Sequence, residues 1–248
     1  MGSRRLATAV SLLVLAAVGC GTVEGRPRTV LVSAAASLSE AFDAIELQFE
    51  VAHPDVDVQL NVAGSSALVA QVVEGAPVDV LALASEDTMA RVIEEGLVAG
   101  PAIVFARNAP IIAVPAGNPA GIDGLDAFGD PDLVLGLCAE AVPCGQLARE
   151  VLAAAGVGPD LDTVEVDVRS LLTRIESGEL DAGIVYATDV RDGRRAVESI
   201  PIDTTATTSY PVVRVASAPN PSDADAFIDF VLSRQGREIL ASFGFLSP

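Results

Sequence analysis

Four positions in this chain stand where an apolar, strand-like run gives way to a helix-like one: Ser37, Ser65, Cys144 and Val168. Residues placed this way favour one kind of chemistry. A helix start carries backbone N–H groups with no acceptor inside the helix, and the helix dipole adds positive potential at the same place. Ser37 and Ser65 add hydroxyls, so the turns offer neutral donors suited to a small anion. In open α/β sheets such turns gather at the carboxyl ends of the strands. Two fall in each half of the chain, so a cleft between two lobes could present four helix N-termini to one anion. Many turns of this kind bind nothing, and the pattern alone leaves both readings open.

The elements that must position these turns are legible from periodicity. Val56, Val58, Leu60 and Val62 alternate with polar residues, as in a half-buried strand. Ala63-Gly64-Ser65-Ser66 breaks the alternation, and from Ala67 the residues Leu68, Val69, Val72 and Val73 follow helical spacing up to Gly75. Val78–Leu83 reads as a buried strand. Upstream, Thr29–Ala35 is a strand. Ser37 with Glu40 three residues on predicts a capping box, with Leu38, Phe42, Ile45 and Phe49 as the inward stripe of a helix ending at His53-Pro54. Ser85 to Glu95 predicts a helix with Met89, Val92 and Ile93 inward. Ile103–Ala106 and Pro110–Val114 are strands with no long helix between them, which is where a two-lobed chain would cross.

A second set follows. Leu133–Leu137 is a strand, and Gln146–Ala155 a helix closed by Gly156. Val164–Val166 is a strand, Ser170–Ser177 a helix closed by Gly178, and Ala182–Tyr186 a strand. Tyr210–Ala216 leads back, and helices near Ala224–Leu232 and Gln235–Phe243 finish on the first lobe. The alternation predicts an α/β protein with a largely parallel sheet. The expected organisation is a leader at 1–19, a tether at 20–28, one lobe from 29–107 with 211–248, and a second lobe from 108–210.

Arg4-Arg5 followed by an apolar run from Leu6 to Val18 reads as an export leader, too short to span a bilayer. Ala17-Val18-Gly19-Cys20 resembles a lipoprotein signal, with Cys20 as the acylated residue. The chain carries a formal charge of −19 and no lysine; loss of Arg4 and Arg5 leaves 34 acids against 13 arginines, or −21. Such a surface disfavours nucleic acid and anionic membranes, and any bound anion must be held by local dipoles. Cys138 and Cys144, six apart around a proline-containing turn, are expected to pair in an oxidising compartment. Two thiols and the lone His53 cannot supply a four-ligand zinc site. His53 is expected at the surface.

Catalysis fits poorly. A serine nucleophile needs a base, and His53 lies at the far end of the helix that Ser37 starts, roughly 24 Å away. No spaced carboxylate pair sits in the candidate turns, so no enzyme is expected.

Six segments together carry a family resemblance. Ala34-Ala35-Ala36-Ser37-Leu38, Ala63-Gly64-Ser65-Ser66 and Gly75-Ala76-Pro77-Val78-Asp79 resemble the molybdate-binding proteins of ABC importers. So do Val142-Pro143-Cys144-Gly145, Asp167-Val168-Arg169 and Gly183-Ile184-Val185-Tyr186-Ala187-Thr188-Asp189, in the same order over nearly all of the chain after the tether. The resemblance implies a two-lobed, type II periplasmic-binding fold. It also implies capture of molybdate or tungstate, and delivery to a membrane permease by a monomer outside the cytoplasm with no cofactor of its own.

Residue by residue, the resemblance makes Ser37 and Ser65 hydroxyl donors, Cys144 and Val168 backbone N–H donors, and Tyr186 a phenol donor. Many members have alanine where Cys144 stands, a change a backbone donor survives. Gly64 replaces the first residue of a serine-rich run, which spares Ser65. Asp79, Asp181 and Asp189 are expected to be structural. Sulfate, phosphate or an organic acid are the alternative cargoes; an organic acid would want an arginine clamp, and Arg169 is the nearest candidate. A lipid-anchored interaction module without a small ligand is a further alternative.

Overall fold

The computed structural model of the chain describes residues 27–190 and 196–248. The expected leader, Cys20 and the tether up to Arg26 lie outside them. In chain order, β1 (Arg28–Ala35) runs through a short 3₁₀ turn (Ala36–Leu38) into α1 (Ser39–Ala52), followed by β2 (Val56–Ala63), α2 (Ser65–Val73), β3 (Val80–Ala82) and α3 (Glu86–Glu94). Next come β4 (Ile103–Asn108), β5 (Pro110–Pro115), β6 (Leu135–Cys138), α4 (Pro143–Ala155), β7 (Thr163–Glu165), α5 (Val168–Glu176) and β8 (Ala182–Tyr186). The chain ends with β9 (Val197–Pro201), β10 (Thr208–Arg214), α6 (Pro221–Leu232) and α7 (Arg234–Ser242).

Two five-stranded sheets result, ordered β2-β1-β3-β10-β4 and β7-β6-β8-β5-β9. They share one topology. Each has a parallel trio, then an antiparallel strand, then an antiparallel edge strand. The chain passes from the first sheet to the second at Ala109 and returns between Pro201 and Thr208. This is the expected α/β, two-lobed, type II periplasmic-binding architecture. Among the described residues no helix is long and apolar enough to cross a membrane.

Apolar periodicity accounts for the layers. Leu38, Phe42, Ile45 and Phe49 are fully buried and meet Phe227, Val231 and Leu240 of the last two helices on one face of the first sheet. Leu68, Val69, Val72, Met89 and Val92 cover the other face. Gly75, Gly156 and Gly178 take positive φ at the helix ends, as their sequence positions predict.

Several local expectations are corrected. Ser37 is not a helix cap: it lies in the 3₁₀ turn, α1 starts at Ser39, and no side chain caps that start. The Ser37 hydroxyl is instead engaged by Tyr210. Ile93 is 45% exposed rather than inward, because Met89 and Val92 already fill the inward stripe of α3. His53 is half-buried and stacks on Phe49, with ring centroids 4.3 Å apart. α4 begins at Pro143, a favoured first position for proline, so Cys144 sits inside the first turn. The edge strand β9 escaped the sequence reading: Val197-Glu198-Ser199-Ile200-Pro201 has no apolar alternation.

Candidate functional site

All four turns sit at the carboxyl ends of parallel strands: Ser37 after β1, Ser65 after β2, Cys144 after β6 and Val168 after β7. Tyr186 closes β8. The structure brings all five into the wall of one cavity of about 230 Å³, together with Ala36, Gly64, Ala84, Pro143 and Asp167. Cys144, Val168, Ser65 and Tyr186 are buried and Ser37 is half-buried, so a ligand here would be largely shielded from water.

The donors on the two sides differ in kind. On the first sheet, Ser65 Oγ accepts a hydrogen bond from the Ala84 N–H at 3.1 Å. One lone pair is thereby occupied and the serine's own proton is left to donate. Thr208 Oγ1 donates to the Ala84 carbonyl, pinning the same residue from the other side. Ser37 Oγ lies 2.9 Å from the Tyr210 hydroxyl.

On the second sheet the donors are backbone. In the first turn of α4, Pro143 has no N–H, while Gly145 and Gln146 donate to the Val142 carbonyl. The Cys144 N–H has no acceptor among the described residues. At α5, Asp167 caps the helix by accepting from the Ser170 N–H at 2.8 Å, and the Leu171 N–H donates to the Asp167 carbonyl. The Val168 N–H has no acceptor among the described residues.

Two constraints hold the Cys144 turn. A disulfide joins Cys138 at the end of β6 to Cys144, with their Cα atoms 5.7 Å apart. Gly145 packs so closely that an added Cβ would fall 2.0 Å from the Ala139 carbonyl oxygen. Arg149 adds a clamp by donating from Nη1 to the carbonyls of Cys138 and Gly145, at 3.0 and 3.1 Å.

Among the buried side chains of the described residues, Tyr186 is the exception. Its hydroxyl is buried, with no hydrogen-bond partner among the described residues. A buried, unpartnered hydroxyl costs about 1–3 kcal/mol, and native structures rarely tolerate one without a use for it. Burial, first, and then the neighbouring Tyr210 and Asp189 push its pKa well above that of an ordinary phenol. It therefore stays protonated and can donate.

The two sides meet closely. Ser66 Oγ donates to the Ala141 carbonyl at 2.5 Å. A Cβ at Gly64 would lie 3.0 Å from the Val166 carbonyl oxygen. The acids expected to be structural serve the backbone. Asp79 accepts from the Leu31 and Asn220 N–H groups, Asp181 from Val134, and Asp189 from Tyr186. Arg169 is exposed and does not line the cavity. Among the described residues, no group of three or more His, Cys, Asp or Glu could hold a metal ion.

Sequence reasoning missed Tyr210, Asn108 and Thr188, which link Ser37 to the chain crossings. Asn108 donates from Nδ2 to Thr188 Oγ1 at 2.7 Å and to the Tyr210 hydroxyl at 3.3 Å. The only available signal was that Tyr210 is one of just two tyrosines.

Comparison with known proteins gives a consistent set of relatives. Residues 30–246 match the family described as bacterial extracellular solute-binding protein. The molybdate-binding protein ModA of Mycobacterium tuberculosis is 33% identical over 250 aligned positions, covering 96% of this chain and 95% of that protein. The periplasmic molybdate-binding protein of Azotobacter vinelandii superposes with a TM-score of 0.77 at 17% identity, covering 88% of this chain and 99% of the other. The sulfate-binding protein SubI of Mycobacterium tuberculosis has a TM-score of 0.79 at 18% identity, covering 88% and 86%. At these identities the two solved structures speak to the fold alone.

Proposed function

The chain belongs to the bacterial extracellular solute-binding proteins, and from that premise we propose that it captures molybdate, and tungstate with it, for an ABC permease. The observation that carries this reading is the Tyr186 hydroxyl, buried without a partner among the described residues in the wall of a small cavity that the Ser37 and Ser65 hydroxyls also line. In this reading Ser37 and Ser65 give hydroxyl protons, Cys144 and Val168 give backbone N–H groups, and Tyr186 gives its phenolic proton. Five neutral donors converge on one tetrahedral dianion. They are cheaper to bury than lysine or arginine, and their hydrogen bonds to a charged oxygen are the strong kind.

The donor set explains selection among anions. Phosphate near neutral pH carries a proton, and these five donors offer that proton no acceptor. Sulfate shares the charge and lacks the proton, so its rejection falls to cavity size. The lobes, 29–107 with 211–248 and 108–210, close over the ion, and the Ser66–Ala141 and Gly64–Val166 contacts latch the closed form for the permease to read. Cys20 carries the lipid that tethers a monomer at the extracytoplasmic face; Cys20→Ser should release the protein from membranes.

Calorimetric titration of the mature protein with molybdate, tungstate, sulfate and phosphate tests the reading. Tight binding of the first two, weakened by Ser65→Ala and by Tyr186→Phe, is the expected result. A folded protein that is silent to all four would overturn it.

A further inference from the structure

We propose that Asn108 and Tyr210 form a one-way hydrogen-bond relay that makes Ser37 an obligate donor and so sets discrimination against proton-bearing anions. The inference rests on the oxyanion reading above and concerns residues outside the cavity wall. Asn108 is fully buried at the end of β4, where the chain crosses between sheets. Its Oδ1 accepts from the Ala109 N–H at 3.0 Å, which turns the amide nitrogen the other way. Both amide hydrogens are then committed, one to Thr188 Oγ1 and one to the Tyr210 hydroxyl.

This fixes the direction of the next bond. The Tyr210 oxygen accepts from Asn108, so its single proton must go elsewhere, and Ser37 Oγ at 2.9 Å is its other partner. The reverse arrangement, with Ser37 donating to Tyr210, would leave the phenolic proton facing an amide nitrogen that has no lone pair. In a fully buried site that loss is costly. Burial also holds the Tyr210 phenol well above its ordinary pKa, so the proton is kept. Ser37 therefore accepts from Tyr210, and its own proton is left for the cavity. The relay runs from the Ala109 backbone through Asn108 and Tyr210 to Ser37. The ring of Tyr210 is held independently of its hydroxyl, by edge contacts with Phe105, Tyr186 and Phe245.

A variant set titrated with molybdate, sulfate and phosphate, the last by competition, tests the relay, with melting temperature as the control for folding. Tyr210→Phe should weaken molybdate about five- to tenfold and narrow the molybdate-over-phosphate ratio, because a freed Ser37 can also accept. Asn108→Asp should invert the relay. The introduced carboxylate accepts the Tyr210 proton, Tyr210 accepts from Ser37, and a lone pair faces the cavity. Titrated above about pH 8, where phosphate is also a dianion, the added charge repels all three anions alike, so molybdate and sulfate should fall together and phosphate should fall less. In a Ser37→Ala background, Tyr210→Phe should have no further effect.

The relay is overturned if wild type binds molybdate while Tyr210→Phe leaves affinity and ratio within about twofold, or if the loss persists in the Ser37→Ala background. Wild type that binds no oxyanion sinks the function reading itself, and the relay with it.

Discussion

The two sheets solve the same topological problem with different donors. Each places two helix starts against the cavity at the carboxyl ends of its first two parallel strands, after β1 and β2 on one side and after β6 and β7 on the other. The first sheet supplies side-chain hydroxyls, each aimed by a second hydrogen bond: Ser65 by the Ala84 N–H, Ser37 by Tyr210. At its two helix starts the second sheet supplies backbone N–H groups, made rigid by the Cys138–Cys144 disulfide, the close seat of Gly145 and the Asp167 cap. Even the third parallel strands differ. Ala84 after β3 orients a donor, whereas Tyr186 at the end of β8 is one. Side-chain donors are deleted by truncation. Backbone donors survive it and fail only when the turn itself is distorted.

The sharpest way to break this comparison is Gly145→Ala. The added methyl cannot coexist with the Ala139 carbonyl, so the α4 start must shift. Oxyanion affinity should fall by more than about 100-fold, with about 3 kcal/mol lost from stability in denaturant titration.

A paired test sharpens it. Ser65→Ala removes a donor and strands the Ala84 N–H, and should weaken binding about 30- to 100-fold. Val168→Ala keeps its N–H and should stay within about threefold in the same calorimetric titration, while losing about 1–2 kcal/mol of stability from its buried side chain. Equal losses of affinity in the pair would break the distinction between the sides.

Tyr186→Phe should weaken binding about tenfold and yet stabilise the ligand-free protein by about 1 kcal/mol, because it removes an unsatisfied hydroxyl. The same phenol has a pH signature. Burial raises the folded-state pKa of Tyr186 and Tyr210 above the ordinary value of about 10. Their contribution to stability is therefore present below about pH 10 and lost as pH rises towards the folded values. Denaturant midpoints should fall above that pH, and less steeply in Tyr186→Phe. The smallest effect belongs to Arg169→Ala. Its exposed side chain lies outside the cavity wall, and molybdate affinity should stay within about twofold, changing mainly in salt dependence.

Much of this was legible in one dimension. The alternation of Val56–Val62, the helical spacing after it and the matching units at β6–α4 and β7–α5 announce an α/β chain, because burial of one face imposes a period on the residues that form it. The absence of lysine, the strongly acidic balance and the single histidine pointed to local dipoles and hydroxyls rather than to a zinc site or a serine–histidine pair. Ser37, Ser65, Cys144, Val168 and Tyr186 were singled out from turns and resemblance, and they line one cavity. Tertiary structure decided the rest. Whether Ser37 caps a helix or accepts from Tyr210 depends on a residue 173 positions away, and local spacing pointed to the wrong partner. The seat of Gly145, the solitude of the Tyr186 hydroxyl and the direction of the Asn108–Tyr210 relay arise from atoms that meet only when distant segments pack. Sequence periodicity encodes which face of an element is buried; it does not encode which polar atom another element will place against it.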